Sequence, residues 1–314
     1  MKNRFSFSKN KLLFVVILVT VSLIVAGTSF LFYRDRTAGF KITVLEIDNE
    51  EAASMRYFLK RLSMSGEEPL AMFERLTREF IIKKTAPNPP YNIIISEDEI
   101  TKYLRDTAKA EAETISDNEF KEWYRQQLNE TQLSDIELRD LIYRNLLAQR
   151  LSAYLADKVP TVAPQAFIHM IVLQSFNQAE EVKSKLDSGE DFFTLAQTFN
   201  MEENLRLRKG EIGWVPRNAL EPGLANLAFD ELELFQHSSP ILINQQSFAI
   251  LMVTERVKAR EIDNSALQTI KARVLDKWYR DESKYHEIKF HGFSNGYDNE
   301  TDAWISWQLE KMKK

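Results

Sequence analysis

The chain contains no cysteine. That excludes disulfides, thiol catalysis, a thiolate metal site and a lipid-modified lipobox cysteine. Histidine is nearly as scarce, limited to His169, His237, His286 and His291. No HExxH or other paired-ligand spacing joins them, so no metal is expected. No glycine-rich phosphate loop occurs among the nine glycines, so neither nucleotide nor any other cofactor is expected. Positive charge is not in excess either. The net charge is −5, and no basic stripe with interleaved aromatics is found, which argues against nucleic acid as a partner.

What is present is ordinary for a globular chain, with 28% charged and 44% hydrophobic residues. A length of 314 residues suggests about two domains. Leu12 to Tyr33 forms an uncharged run of 22 residues, long enough to cross a hydrocarbon core of roughly 30 Å. Lys2, Arg4, Lys9 and Lys11 precede it, which predicts a cytoplasmic N-terminus and an extracytoplasmic bulk in a single-pass protein of the cytoplasmic membrane. The competing reading is a cleaved signal peptide. Its apolar region is usually about 7–15 residues and ends in a small-x-small site, whereas Val25-Ala26-Gly27 is a poor site and the run continues past it.

Phe40 to Ile47 is β-branched and partly alternating, and predicts a strand. From Glu50 to Ala156 the pattern is helical. Ser96/Glu99, Ser116/Glu119 and Ser134/Glu137 each have capping-box spacing, and the prolines between Ala86 and Pro90 break the run. In the helix begun at Ser134, Leu138, Ile142 and Leu146 form one stripe and Leu147, Leu151 and Tyr154 an adjacent one. Beyond Pro160 and Pro164 the period changes. Ala166 to Leu173 reads as a buried strand, Gln178 to Asp187 as a helix ended by Gly189, and Asp191 to Phe199 as another helix. A turn from Lys209 to Gly213 leads to Trp214. Leu224 to Phe229 is a small helix and Phe248 to Glu255 a closing strand. Leu267, Ile270, Val274 and Trp278 mark an amphipathic helix, and Asp302 to Lys313 a short last one.

The segment from Thr161 to Arg260 resembles a parvulin-type peptidyl-prolyl isomerase domain. His169-Met-Ile-Val is similar to the family's opening strand, Gly189-Glu-Asp-Phe-Phe-Thr-Leu-Ala196 to its helix, and Gly210-Glu-Ile-Gly-Trp214 to its turn. Leu220-Glu-Pro-Gly-Leu-Ala-Asn-Leu-Ala-Phe229 is similar to its pocket helix. Phe73 to Ala156 resembles the N-terminal helical lobe of SurA and PrsA chaperones. The resemblance implies an α+β architecture in four parts. Residues 1–36 are the cytoplasmic N-terminus and anchor, and 37–160 the helical lobe. Residues 161–260 are the parvulin-like domain, and 261–314 a C-terminal segment returning to the lobe.

Carried over by position, the family's first catalytic histidine is His169 and its Cys/Asp position is Glu202. The proline-pocket positions fall on Leu220, Leu224 and Phe229, the second histidine on Ala249, and the first glycine of the Gly-Gly turn on Lys209. Rotation about a prolyl bond faces a barrier of roughly 18–20 kcal/mol, lowered by gripping a twisted amide with aligned hydrogen bonds. With alanine at 249 the family's histidine network cannot form. The expectation is a membrane-anchored, extracytoplasmic folding factor that binds unfolded or newly translocated polypeptides, with a degenerate parvulin domain. Two alternatives stay open: an active isomerase using His169 and Glu202, and an envelope scaffold or client-specific assembly factor.

Overall fold

The computed structural model describes residues 39–110, 112–244, 247–293 and 296–312. The apolar run from Leu12 to Tyr33 lies outside them, and no helix among the described residues is long and apolar enough to cross a membrane. The described fold mixes helices and sheets and divides into two compact units. One comprises residues up to Leu151 together with Trp278 onward, the other Ser152–Lys277.

The first unit opens with β1 (Thr43–Ile47) and β2 (Glu50–Ser54). Asp48 and Asn49, at φ 54° and 65°, join them in the two-residue turn whose twist suits a hairpin. Strand pairing in this hairpin overrides the helical character of Glu50-Glu-Ala-Ala-Ser54, which is a strand and not the start of a helix. Phe40 and Lys41 are helical, and the strand begins only at Thr43. The other edge of β1 pairs with β7 (Ile288–Phe290), a strand that no periodicity announces in three residues. Ser54 caps α1 (Met55–Ser65), which Gly66 ends at φ 67°. There follow α2 (Pro69–Thr85), α3 (Glu97–Ala108), α4 (Asp117–Thr131) and α5 (Asp135–Asp157). All three capping boxes form, each serine oxygen accepting from the glutamate amide while the carboxylate accepts from the serine N–H. In the core Phe58 stacks on Phe73 at 4.2 Å, and Phe73 meets Phe290 of β7 at 4.9 Å.

The buried face of α5 is Leu138, Leu141, Arg144, Leu147 and Leu151. Ile142 and Leu146 are only half-buried, because Arg144 occupies the centre of the stripe. Its side chain is 0% exposed. Nε donates to Glu79 at 3.2 Å, the two Nη atoms donate to Asp140 and to the Tyr57 hydroxyl, and the guanidinium lies 4.5 Å from the Phe80 ring centroid. Glu79 also accepts two bonds from Arg61, at 2.7 and 2.8 Å.

The second unit is built on a four-stranded antiparallel sheet ordered β4-β3-β6-β5. Its strands are β3 (Val162–Leu173), β4 (Glu211–Pro216), β5 (Ile241–Asn244) and β6 (Ser247–Glu261). Both predicted strands lie inside longer ones, and Trp214 sits within a strand. Ile171, Leu173, Ile250 and Met252 on one face pack against α6 (Phe176–Asp187) and α7 (Phe192–Phe199). Ala166, Ile168, Leu251 and Val253 on the other face pack against Leu220, Ala228 and Phe229. Those three residues surround and follow a short helix, α9 (Pro222–Asn226), which continues into a π-helical turn closed by Leu232 N–H donating to the Leu227 carbonyl. The one-turn α8 (Glu203–Leu207) and β5 were not anticipated. Ile270, on α10 (Asn264–Glu282), packs with Ala163 and Ile262.

Back in the first unit, Trp278 is buried and donates from Nε1 to the Tyr91 hydroxyl at 2.7 Å. The last helix, α11 (Asn299–Met312), packs on α1.

Candidate functional site

His169 sits in the middle of β3, and strand register fixes what surrounds it. It pairs with Met252 on β6 and with Glu211 on β4. Residues directly opposite one another in a ladder share a face, so His169 faces α6 and α7 with Ile171 and Leu173. Phe193 of α7 meets the imidazole edge-on at 5.0 Å and Phe167 lies at 5.4 Å. Phe167 in turn meets Trp214 at 5.4 Å. The histidine is 7% exposed, and its Nδ1 has no hydrogen-bond partner among the described residues. Burial pushes its pKa down, opposed by the Glu211 carboxylate, so the imidazole is neutral at neutral pH.

The other sequence-predicted residues are distributed differently. Ala249 is fully buried and pairs with Val172 and Ile241. The ladder runs without a shift from His169 to Leu173, so Ala249 lies on the opposite face from His169. Leu220 and Phe229 pack beneath that second face with Ile241, and Leu224 is half-buried on α9 between them. The structure therefore brings Leu220, Phe229 and Ala249 to one side of the sheet and His169 to the other. Glu202 is exposed at the start of α8, and the carboxylate that acts on His169 is Glu211.

A histidine that sequence reasoning missed stands on the His169 face. His237 bridges Met252 from the far side of β6, and its Nε2 lies 3.4 Å from Asp187 at the end of α6. Its loop has no periodicity to betray it. The scaffold around β3 is tightly specified. Asn200 accepts from Val172 N–H at 3.2 Å and donates to the Met170 carbonyl at 2.8 Å. Gly210, at φ 80°, leaves no room for a side chain, since a Cβ would stand 2.8 Å from the Met170 carbonyl oxygen.

Residues 174–255 match the Rotamase family, described as the PPIC-type PPIASE domain. The second unit carries a PPIC-type rotamase domain. The matched residues begin just after His169. Two curated relatives are both named foldase protein PrsA. That of Halalkalibacterium halodurans is 23% identical over 117 residues, covering 37% of this chain and 32% of that protein. That of Geobacillus sp. strain WCH70 is 28% identical over 102 residues, covering 32% and 36%. The chain thus spans about a third of the length of these relatives. Among solved structures, PrsA from Bacillus anthracis aligns with TM-score 0.39 at 17% identity, over 77% of this chain and 97% of that one. The parvulin NmPin of Nitrosopumilus maritimus aligns with TM-score 0.26 at 20% identity, over 30% and 98%.

In this rotamase domain the positions that the parvulin resemblance assigns to isomerisation are divided. Leu220 and Phe229 pack beneath one face of the sheet, and His169 lies on the other. A neutral imidazole can donate one hydrogen bond and accept one. On its β6 side His169 is paired with Met252, whose thioether is only a weak acceptor, and on its β4 side with Glu211.

Proposed function

We propose that this chain is a membrane-anchored, extracytoplasmic folding factor. It binds unfolded or newly translocated polypeptides, and its rotamase domain accelerates proline isomerisation little or not at all. The observation that carries the second half is the sheet register, which sets Met252 opposite His169 and puts Ala249 on the other face. Losing one aligned donor from a preorganised site typically lowers rate about 10²–10³-fold, and losses that act together are not additive. The folding role is supported by the rotamase match and by the two relatives named as foldases. The anchor is supported by the 22-residue apolar run and the basic residues before it. Reversible holding of unfolded chains needs exposed apolar surface and no nucleotide.

The test uses the purified full-length protein. It should suppress aggregation of several unrelated unfolded proteins while leaving proline-tetrapeptide isomerisation near the uncatalysed rate, and His169→Ala should change neither. Turnover comparable to an intact parvulin, abolished by His169→Ala, would overturn the degenerate reading. Suppression limited to a single client would favour a dedicated assembly factor.

A further inference from the structure

The two faces of α11 differ sharply. Thr301 and Ile305 are fully buried, on the helix that packs against α1. Ala303, Ser306, Trp307, Glu310 and Lys311 are exposed, the Trp307 indole by 49%. Lys311 Nζ stands 3.3 Å from the centroid of that ring, and Lys313 and Lys314 follow in the sequence. The acidic Glu300 and Asp302 occupy the first turn, the end remote from the lysines. From 310 to 314 the sequence carries Glu310 against three lysines and is net cationic, and the described helix exposes Trp307 and Lys311 just before that stretch ends.

The first described residues of the chain lie against this same helix. A Cβ on Gly39 would come within 3.0 Å of the Trp304 ring, and Phe40 meets that ring edge-on at 5.2 Å. Trp304 and Trp307 are one turn apart. Only six residues lead from Tyr33, where the apolar run ends, to Gly39, a reach of at most about 20 Å. An apolar run seated in a bilayer therefore holds α11 close to the membrane surface, whatever path the tether takes. Exposed indole beside lysine is the pairing favoured at the headgroup level.

We infer that α11 docks on the bilayer beside the anchor, with Trp307 at the headgroup boundary and Lys311 beside it facing anionic headgroups. The partner is the lipid surface itself, and the contact fixes the orientation of the first unit over the membrane. This inference rests on the anchored reading of the apolar run.

The absence of cysteine makes a unique label simple. Ser306→Cys in the full-length chain, carrying a nitroxide, is placed in phosphatidylcholine vesicles with and without phosphatidylglycerol. Lipid-versus-water accessibility of the label is then read by power saturation. An alkaline wash reports separately whether the chain stays in the bilayer. The expected result is a label at the lipid boundary when phosphatidylglycerol is present, moved toward water about fivefold by Lys311→Glu. A fully aqueous label on a chain that survives the wash overturns the docking and leaves the anchor standing. A chain stripped by the wash overturns both. Lipid contact indifferent to phosphatidylglycerol and to Lys311→Glu overturns the role given to Lys311.

Discussion

Lys209 holds a left-handed backbone conformation at φ 53°, immediately before Gly210. For a side chain with a Cβ this costs roughly 1–2 kcal/mol, and the parvulin resemblance places a glycine at this position. Lys209→Gly should raise stability by about 1 kcal/mol, seen as a higher urea midpoint with unchanged slope. His169 gives a pH signature with a definite sign. Burial holds its pKa below the ordinary histidine value, so the unfolded chain takes up a proton near pH 6.5 while the folded one still resists it. Stability from this residue is complete above about pH 6.5 and falls as the pH drops below that. His169→Phe should lose less stability than the parent between about pH 7.5 and 5.5, measured as urea midpoints. An equal loss in both would show that the imidazole does not drive the slope. At this scale the glycine was legible from its motif, since only a residue without Cβ fits beneath the Met170 carbonyl. The relation between His169 and Ala249 was not. It depends on strand register, and a one-residue slip exchanges the faces of a sheet.

At the scale of elements, short-range chemistry was readable and long-range pairing was not. The three capping boxes lie within four residues each, and their helices start where the serines predict. Glu50–Ser54, β5 and β7 become strands only because a distant or folded-back partner supplies their hydrogen bonds. Arg144 is the sharper case. A charged residue in an apolar stripe reads as surface, yet Glu79, Asp140 and Tyr57 surround it and tie α5 to α1 and α2. Removing one member of a buried ion pair leaves the rest uncompensated, at a cost of about 3–5 kcal/mol. Arg144→Ala should therefore unfold the first unit at markedly lower urea. Loss of less than about 1 kcal/mol would mean that the network is solvated in the working protein.

At the scale of the whole molecule, the first unit is discontinuous in sequence. Its N-terminal segment ends at Leu151 and its C-terminal segment begins at Trp278. The late segment brings β7 to the open edge of β1, and it brings Phe290 and Tyr297 to Phe73. A chain ended at Glu282 should lose cooperative unfolding of the first unit, followed by near-ultraviolet circular dichroism. Unaltered unfolding would show that β7 and α11 are dispensable. The rotamase unit, by contrast, is contiguous, and this difference orders events during synthesis. At translation rates of about 5–20 residues per second, the intervening residues take on the order of ten seconds to emerge. Throughout that interval β1 has an unpaired edge, and an unpaired edge invites pairing with another chain. On the proposed holding function, the protein's own first segment is, for those seconds, the same kind of client.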